Sequence, residues 1–336
     1  MKQFLAILGF LTLLAANSQM GARSQSTAPA PRVIRVLCLP ARPLALVVAR
    51  EQRLFEKYGI DVQVEVASNS EALRAGLANE KFDVAHAAVD NAVALAEKEG
   101  TDVVVFMGGE GSTNELIAQP SVHAIAELRG KTVIVDAPTT AYALQLKKIL
   151  LQNHMQSGRD YQIQAVGSTP LRLLALREHQ EYAAALLGPP TSLVAKHDGF
   201  LSLGTTERFI GPYQAIAGFS RRAWASQNRN LLVSYIAAYV EAQRWIQDSA
   251  HQGEVVALLG REFKISEDLA QETYAAWIIA PQGLQRDARI DLGGFRTVLN
   301  LRAELENTWQ GKVPAPDQYY DPTFYDAAFR RINAVN

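Results

Sequence analysis

Residues 33–67 read VIRVLCLPARPLALVVAREQRLFEKYGIDVQVEVA, and this stretch sets the pattern for most of the chain. Two β-rich apolar runs, Ile34–Leu39 and Val62–Ala67, flank a helical pattern over Pro43–Tyr58. The same alternation continues to about Gly218, which predicts an α/β fold with largely parallel strands. Beyond that point the pattern is almost continuously helical.

The composition excludes several classes of protein. The chain has 336 residues, which suggests about two domains, and its 48% of hydrophobic residues is enough for a sizeable core. Its 33 Lys and Arg against 34 Asp and Glu give a net charge of -1, which argues against a nucleic-acid partner or a polybasic membrane patch. One cysteine excludes an intramolecular disulfide framework and a four-cysteine metal site.

The first residues, 1–24, have the features of a cleavable secretory signal. A positive charge precedes an apolar run over 4–16 that is too short to remain in a bilayer as a spanning helix. Small residues suited to signal peptidase follow, so we expect cleavage after Ser18 or Ser24, with 25–31 as a flexible linker. No cysteine stands near these positions to carry a lipid. The sequence therefore predicts a mature protein that is free in the periplasm.

Sequence motifs of catalysis are absent or incomplete. Gly108-Gly109-Glu110-Gly111 follows an apolar strand, but Asn114 stands where a dinucleotide fingerprint needs its third glycine, and a tight turn is the better interpretation. The chain has no Walker A motif and no G-x-S-x-G motif, and its six histidines lack metal-ligand spacing. Cys38 lies in an apolar strand, where a thiol is usually inert. We therefore expect a binding protein, not an enzyme, with no metal and no cofactor.

Polar side chains follow several predicted strands at their carboxyl ends, where open α/β sheets bind ligands beside helix N-termini. Singly, a Ser, Thr or Asn at such a position is typical of an ordinary helix cap. Their occurrence at several strand ends together favours a small polar pocket with few charges. The candidate ligand-binding residues are Arg42, Ser68, Asn69, Asp90, Asn91, Thr139, Thr140, Tyr142, Gly188, Pro189 and Tyr213.

An ordered series of segments resembles a known family. The segments are residues 43–62, residues 75–85 (AGLANEKFDVA), residues 127–133 (ELRGKTV), Gly211-Pro212-Tyr213 and Tyr319-Tyr320-Asp321. Together they resemble the nitrate/sulfonate/taurine-type periplasmic solute-binding proteins of ABC transporters, which are related to thiamine-precursor-binding proteins. Pro138-Thr139-Thr140 stands where this family often has a Gly-Ser pair, so the resemblance does not transfer the identity of the ligand.

The resemblance implies the type II periplasmic binding protein fold: two lobes, each with a mostly parallel central sheet flanked by helices, and a ligand cleft between them. Residues 32–118 and 215–336 would form lobe one and residues 119–214 lobe two, with a hinge near Leu116–Gln119 and Tyr213–Gly218. The implied function is the binding component of an ABC-type importer. Such a protein, expected as a monomer, closes on a small-molecule ligand and docks on an inner-membrane permease that works with an ATPase.

Two alternatives of other classes remain open at this stage. One is a ligand sensor that presents its closed form to a membrane receptor. The other is an enzyme on the same fold, similar to the thiamine-pyrimidine precursor synthases. That group uses a cysteine-rich motif, which a chain with Cys38 alone does not supply.

The helix N-termini and Arg42 indicate the sign of the ligand's charge. Each helix N-terminus favours an anion by about 0.3–1 kcal/mol, and a charge-assisted hydrogen bond from Arg42 would add roughly 1.5–3 kcal/mol. Asp90 would oppose an anion unless it caps the helix beginning at Asn91, its commoner role, or pairs with a ligand amine. The hypothesis is a small organic anion, a carboxylate or a sulfonate, with a zwitterion second. A surface arginine beside Pro43 is the ordinary alternative for Arg42.

We expect Arg42→Ala to weaken the binding of a carboxylate or sulfonate about 10- to 100-fold, because one charge-assisted hydrogen bond is lost. Calorimetric titration of both proteins with a panel of carboxylates, sulfonates and amines measures this. Unchanged anion affinity in the variant, or binding of cationic and uncharged compounds only, would show that the argument from Arg42 is wrong.

Overall fold

A computed structural model describes residues 32–40 and 43–335. The predicted signal and linker, residues 1–31, and the candidate site residue Arg42 lie outside the described residues.

The described residues form strands and helices in alternation, followed by helices. The strands are β1 (Arg32–Cys38), β2 (Ile60–Val66), β3 (Val84–Ala88), β4 (Val103–Met107), β5 (Glu115–Ala118), β6 (Thr132–Val135), β7 (Gln162–Ala165), β8 (Tyr182–Leu187), β9 (Leu201–Thr205) and β10 (Ile216–Arg221). The helices are α1 (Leu44–Glu51), α2 (Leu54–Lys57), α3 (Ser70–Ala78), α4 (Asp90–Glu99), α5 (Ala141–Gln152), α6 (Thr169–Glu178), α7 (Thr191–His197), α8 (Thr206–Ile210), α9 (Arg222–Gln227), α10 (Arg229–Ile246), α11 (Gln252–Phe263), α12 (Glu267–Thr273), α13 (Leu292–Glu306) and α14 (Pro322–Val335). A π-helical turn, Tyr274–Ile279, continues α12.

The helix predicted over Pro43–Tyr58 is broken into α1 and α2. The break falls at Arg53, whose φ of 54° lies in the left-handed region. A left-handed residue interrupts the hydrogen-bond ladder of a right-handed helix. The apolar residues on both sides stay buried against the first sheet, so the period of the sequence pattern survives the break.

The first sheet has the strand order β2-β1-β3-β10-β4. β1 pairs in parallel with both β2 and β3, whereas β10 is antiparallel to β3 and to β4. β4 therefore runs in the same direction as β1, β2 and β3. The carboxyl ends of these four strands lie at one edge of the sheet.

The second sheet has the order β7-β6-β8-β5-β9. β6 is parallel to β7 and β8, and β5 is antiparallel to β8 and β9, so the carboxyl ends of β6, β7, β8 and β9 also share one edge. The lobe boundary predicted at residue 118 placed residues 115–118 in lobe one, but they form β5 of the second sheet. We propose that the boundary lies before Glu115 and that the lobes otherwise divide as the sequence predicts.

Two crossings, residues 108–114 and 206–215, join the sheets. The first leaves the carboxyl end of β4 and enters β5 at Glu115, which pairs with Leu187 at the carboxyl end of β8. The second leaves the end of β9 and enters β10 at Ile216, which pairs with Ala88 at the end of β3. Both crossings therefore connect one carboxyl edge to the other, and the two edges face each other across them. We call this region the cleft.

One histidine is enclosed beneath the first sheet. His86 of β3 is 1% exposed, its Nε2 lies 2.8 Å from the Tyr235 hydroxyl, and its ring stacks on Tyr239 at 4.8 Å between centroids. Both tyrosines belong to α10, so the contact fixes this helix against the sheet. Burial disfavours the charged imidazole and lowers the pKa of His86 from 6.5 to about 3.

We expect the free energy of unfolding to fall by about 1.4 kcal/mol per pH unit, on account of His86, as the pH drops from 6.5 toward 3. In this window the unfolded chain takes up a proton that the folded chain does not, so acid favours unfolding. His86→Gln removes this part of the slope, although its absolute stability is lower. Urea unfolding at several pH values measures it, with the exposed His123→Gln as the matched control. Equal slopes for wild type and His86→Gln would contradict the assignment.

Candidate functional site

Ser68 and Asn69 follow β2 at the cleft edge of the first sheet, and both are exposed. The Asn69 side chain accepts a hydrogen bond of 2.8 Å from the Ala72 N–H and caps α3. Asn69 thus has the ordinary capping role that its position suggested. Its amide nitrogen makes no hydrogen bond among the described residues, so it stays available to a ligand.

Asp90 has a different role from the one expected. It does not cap α4; its carboxylate accepts hydrogen bonds from Arg302 of α13, from Nε at 2.6 Å and from Nη2 at 2.8 Å. The two side chains are only 3% and 2% exposed. Capping was the wrong interpretation, because a guanidinium far along the chain holds the carboxylate in the interior. Asp90 therefore presents no unpaired negative charge to an anion.

Asn91 and Tyr213 are also interior residues. The Asn91 amide donates to the Ala88 carbonyl at 3.3 Å, and its oxygen accepts from Arg74 at 3.1 Å. Tyr213 is 2% exposed, and burial raises the pKa of its hydroxyl well above the ordinary range. The Asn91 hydrogen bonds support the wall of the cleft, and burial leaves little of either side chain for a ligand.

Thr140 caps α5 on the second-sheet side of the cleft. Its Oγ1 accepts from the Ala143 N–H at 3.4 Å and donates to Asp136 Oδ1 at 2.5 Å. Burial raises the pKa of Asp136, and the nearby positive charge of Arg172 opposes that shift. Thr139 is exposed at the same turn.

Tyr142 lies in a polar network that the sequence did not reveal. The Arg172 guanidinium lies 4.3 Å from the centre of the Tyr142 ring, a cation–π distance. Arg172 also donates to Thr169 Oγ1 at 3.0 Å, and that hydroxyl donates to the Tyr142 oxygen at 3.4 Å. Arg172 is 1% exposed, and among the described residues no carboxylate lies within salt-bridge distance of it. It adds positive charge behind Tyr142.

Gly188 and Pro189 follow β8 beside the first crossing. A Cβ on Gly188 would lie 2.7 Å from Asn114 Oδ1, so a larger residue here would require the Asn114 side chain to move. Asn114 donates in turn to Gln145 Oε1 at 3.4 Å, and Ser112 donates to the same oxygen at 3.3 Å. These amides link the first crossing to α5.

Glu110 is the other residue of the cleft that the sequence analysis missed. It follows β4, and its Oε2 accepts a hydrogen bond of 2.6 Å from Trp277 Nε1. Burial raises the pKa of Glu110 to about 7, against the smaller opposing effect of this hydrogen bond. The sequence carried one usable signal: an acid at the carboxyl end of a buried strand, within the glycine-rich turn 108–111.

Within residues 32–40 and 43–335, no group of three or more His, Cys, Asp and Glu side chains is placed to hold a metal ion. In this same part of the chain, no helix combines the length and apolar character needed to cross a membrane.

Comparison with models of protein families assigns the chain to a family. The model of the NMT1-like family matches residues 38–260, which is more than half of the sequence. The chain belongs to the NMT1-like family. None of the curated proteins matches this NMT1-like chain.

Solved structures share its fold at low sequence identity. The periplasmic nitrate-binding protein NrtA from Synechocystis PCC 6803 is 15% identical, with a TM-score of 0.73 over 91% of this chain and 90% of that one. The periplasmic aliphatic sulphonate binding protein SsuA from Escherichia coli is 15% identical, with a TM-score of 0.69 over 88% of this chain and 99% of that one. The desulfurization enzyme DszB is also 15% identical, with a TM-score of 0.64 over 89% and 99%.

These findings confirm the resemblance drawn from the sequence and the periplasmic binding protein fold. The NMT1-like chain has two mixed sheets flanked by helices, as that fold requires. Most of the named neighbours are binding proteins, and DszB is an enzyme on a similar fold. At such identities the likeness concerns the fold, and the ligand of each neighbour belongs to that neighbour.

We expect Arg302→Met to lower the free energy of unfolding by about 3–5 kcal/mol, because it leaves the Asp90 carboxylate buried without its partner. The double variant Asp90→Asn/Arg302→Met should lose less than the sum of the two single variants, since it removes both charges. Urea unfolding of the four proteins gives the coupling energy. Additive losses would contradict a direct interaction between the two side chains.

Proposed function

We propose that this NMT1-like protein is the exported substrate-binding component of an ABC-type importer. It captures a small organic anion of the carboxylate or sulfonate class and delivers it to an inner-membrane permease. The observation that carries the proposal is the pair of carboxyl edges that face each other across two crossings, because ligands of open α/β sheets bind at such edges. The short apolar N-terminal run supports export to the periplasm.

Binding without catalysis is favoured over the enzyme alternative, although DszB shows that this fold also carries enzymes. The sole cysteine, Cys38, is fully buried, and its thiol donates to the Glu65 carbonyl at 3.5 Å. His86 is enclosed and held neutral beneath the first sheet. A thiol and an imidazole in these positions are poorly placed to act on a ligand in the cleft.

The anionic class rests on the charges around the cleft. Helices α1 and α6 begin there without a side-chain cap, so free N–H groups of their first turns can donate hydrogen bonds to an anion. Arg172 supplies positive charge behind Tyr142, and Arg42 is the candidate at the end of β1. The Asp90 charge is already paired with Arg302, so it does not oppose the ligand.

Closure of the lobes is supported by contacts on both flanks of the cleft. On one flank, Lys148 of α5 contacts Glu304 of α13 at 2.7 Å. On the other flank, Gln282 donates to Glu207 at 2.8 Å, and His197 of α7 lies 3.0 Å from Glu272 of α12. Each contact joins a segment packed on one sheet to a segment packed on the other. Opening of the cleft would break them, so they favour the closed form.

We expect Lys148→Glu to weaken ligand binding about two- to fivefold, because it replaces an attractive pair across the cleft by a repulsive one. The matched control is Lys131→Glu, the same charge change at an exposed lysine before β6. Calorimetry with propionate, ethanesulfonate and taurine measures the affinity.

Small-angle scattering of the same samples tests closure directly. The radius of gyration of the wild type should decrease when a bound probe is added, and the decrease should be smaller for Lys148→Glu. A constant radius with a probe that calorimetry shows to bind would contradict closure. Chemical turnover of a bound probe would contradict a pure binding role.

A further inference from the structure

The Glu110 carboxyl has no role in the function proposed so far. Its backbone is fixed where the two crossings meet: the Glu110 N–H donates to the Ile216 carbonyl at 3.3 Å, and its carbonyl accepts from Ala215 at 3.1 Å. Gln214 donates a second bond of 3.1 Å to the same carbonyl. Glu110 therefore lies at the carboxyl end of β4, between the facing edges of both sheets, and its position is rigid.

Only one of the two Glu110 carboxyl oxygens accepts a hydrogen bond from a described residue. Oε2 accepts from Trp277 Nε1 at 2.6 Å, whereas Oε1 accepts no hydrogen bond among the described residues. No Lys, Arg or His of the described chain lies within salt-bridge distance of Glu110, and the residue as a whole is partly exposed. A carboxylate has room for about four hydrogen bonds, so this one keeps most of its accepting capacity free.

Among the described residues, those around Glu110 supply no neutralising charge. Trp277 comes from the π-helical turn, and such turns are frequent at functional sites. Tyr239 of α10 faces the same group and carries a hydroxyl that burial holds neutral. Glu207, an acid of the second crossing, accepts a hydrogen bond of 2.8 Å from Gln282. A charged Glu110 in this environment is costly without a partner, and a ligand that donates to it would remove that cost.

We propose that Glu110 is a specificity-determining residue of the cleft, which accepts a hydrogen bond from an ammonium or amino group of the ligand. The inference rests on the proposed function and narrows it: the ligand carries an amino group as well as its anionic group. Trp277 acts as a positioning residue, since its N–H orients the carboxylate and leaves Oε1 toward the ligand. Such a ligand meets Glu110 at one end and the helix N-termini at the other, where the buried Arg172 adds positive charge behind Tyr142.

The preference for an amino group has a definite pH dependence. The pKa of Glu110, raised by burial to about 7, means that the carboxylate form is present above this pH and is lost below it. The selectivity for an amino-bearing ligand should therefore be full at pH 8 and decline as the pH falls to 6. Loss of the Trp277 donor raises the pKa further, so the decline should begin at a higher pH.

The test uses matched probes and the full-length mature protein. Taurine and ethanesulfonate differ only in an amino group, as do β-alanine and propionate, and propylamine carries the amine alone. Calorimetry at pH 6 and pH 8 compares the wild type with Glu110→Gln, which keeps the size of the side chain, and with Trp277→Phe, which keeps an aromatic ring. The control is the exposed Glu71→Gln on α3.

We expect the wild type to prefer the amino-bearing member of a pair by about 10- to 100-fold at pH 8. Glu110→Gln should abolish this preference, and Trp277→Phe should reduce it more at pH 6 than at pH 8, whereas Glu71→Gln should leave it intact. If a variant fails to fold, the wild-type comparison within each pair at two pH values still decides the question.

Two of the remaining outcomes separate the two proposals. Equal binding of both members of a pair, unchanged in Glu110→Gln, overturns the role of Glu110 and leaves the anion-binding function standing. Binding of propylamine without either anion, lost in Glu110→Gln, supports Glu110 and overturns the anionic class. Failure of every probe to bind the wild type contradicts both.

Discussion

The structure depends on one topological constraint: within the described residues, the chain passes between its two sheets only at their carboxyl edges. β4 and β9 both leave at that edge, and β5 and β10 both enter there. The crossings are bonded to each other through Gly111 and Gln214 and through Asn114 and Thr206, so they form a short double connection. Helix N-termini and strand-end loops of both sheets therefore converge on the cleft as a direct result of this topology.

Some polar groups of the cleft stabilise its walls, and others are free to contact a ligand. Asp90, Tyr213 and Gln145 are enclosed, and the hydrogen bonds of Asp90 and Gln145 keep the walls together. Ser68 and Thr139 are exposed at the rim. A buried ion pair such as Asp90 with Arg302 contributes more to a fixed geometry than to net stability, because desolvation offsets much of its attraction.

Local signals predicted local structure well. Asn69 and Thr140 cap helices because a cap needs only a side chain and an N–H three residues later, and the sequence shows both. The role of Asp90 was misjudged because its partner, Arg302, lies on a helix from the far end of the chain. The same limit applied to Glu110 and Trp277: no short-range pattern links a turn after β4 to a π-helical turn in the last third of the sequence.

The insertion of β10 between β3 and β4 has a consequence for the order in which the chain folds. The second sheet is built from one continuous stretch, Glu115 to Thr205, so all its strands are available together once that stretch has been made. The first sheet lacks its fourth strand until Ile216–Arg221 has emerged, and its helical cover, α10 and α14, comes later still. The part of the molecule that begins the sequence is therefore the last to close its core, and its early strands have an unpaired edge in the meantime.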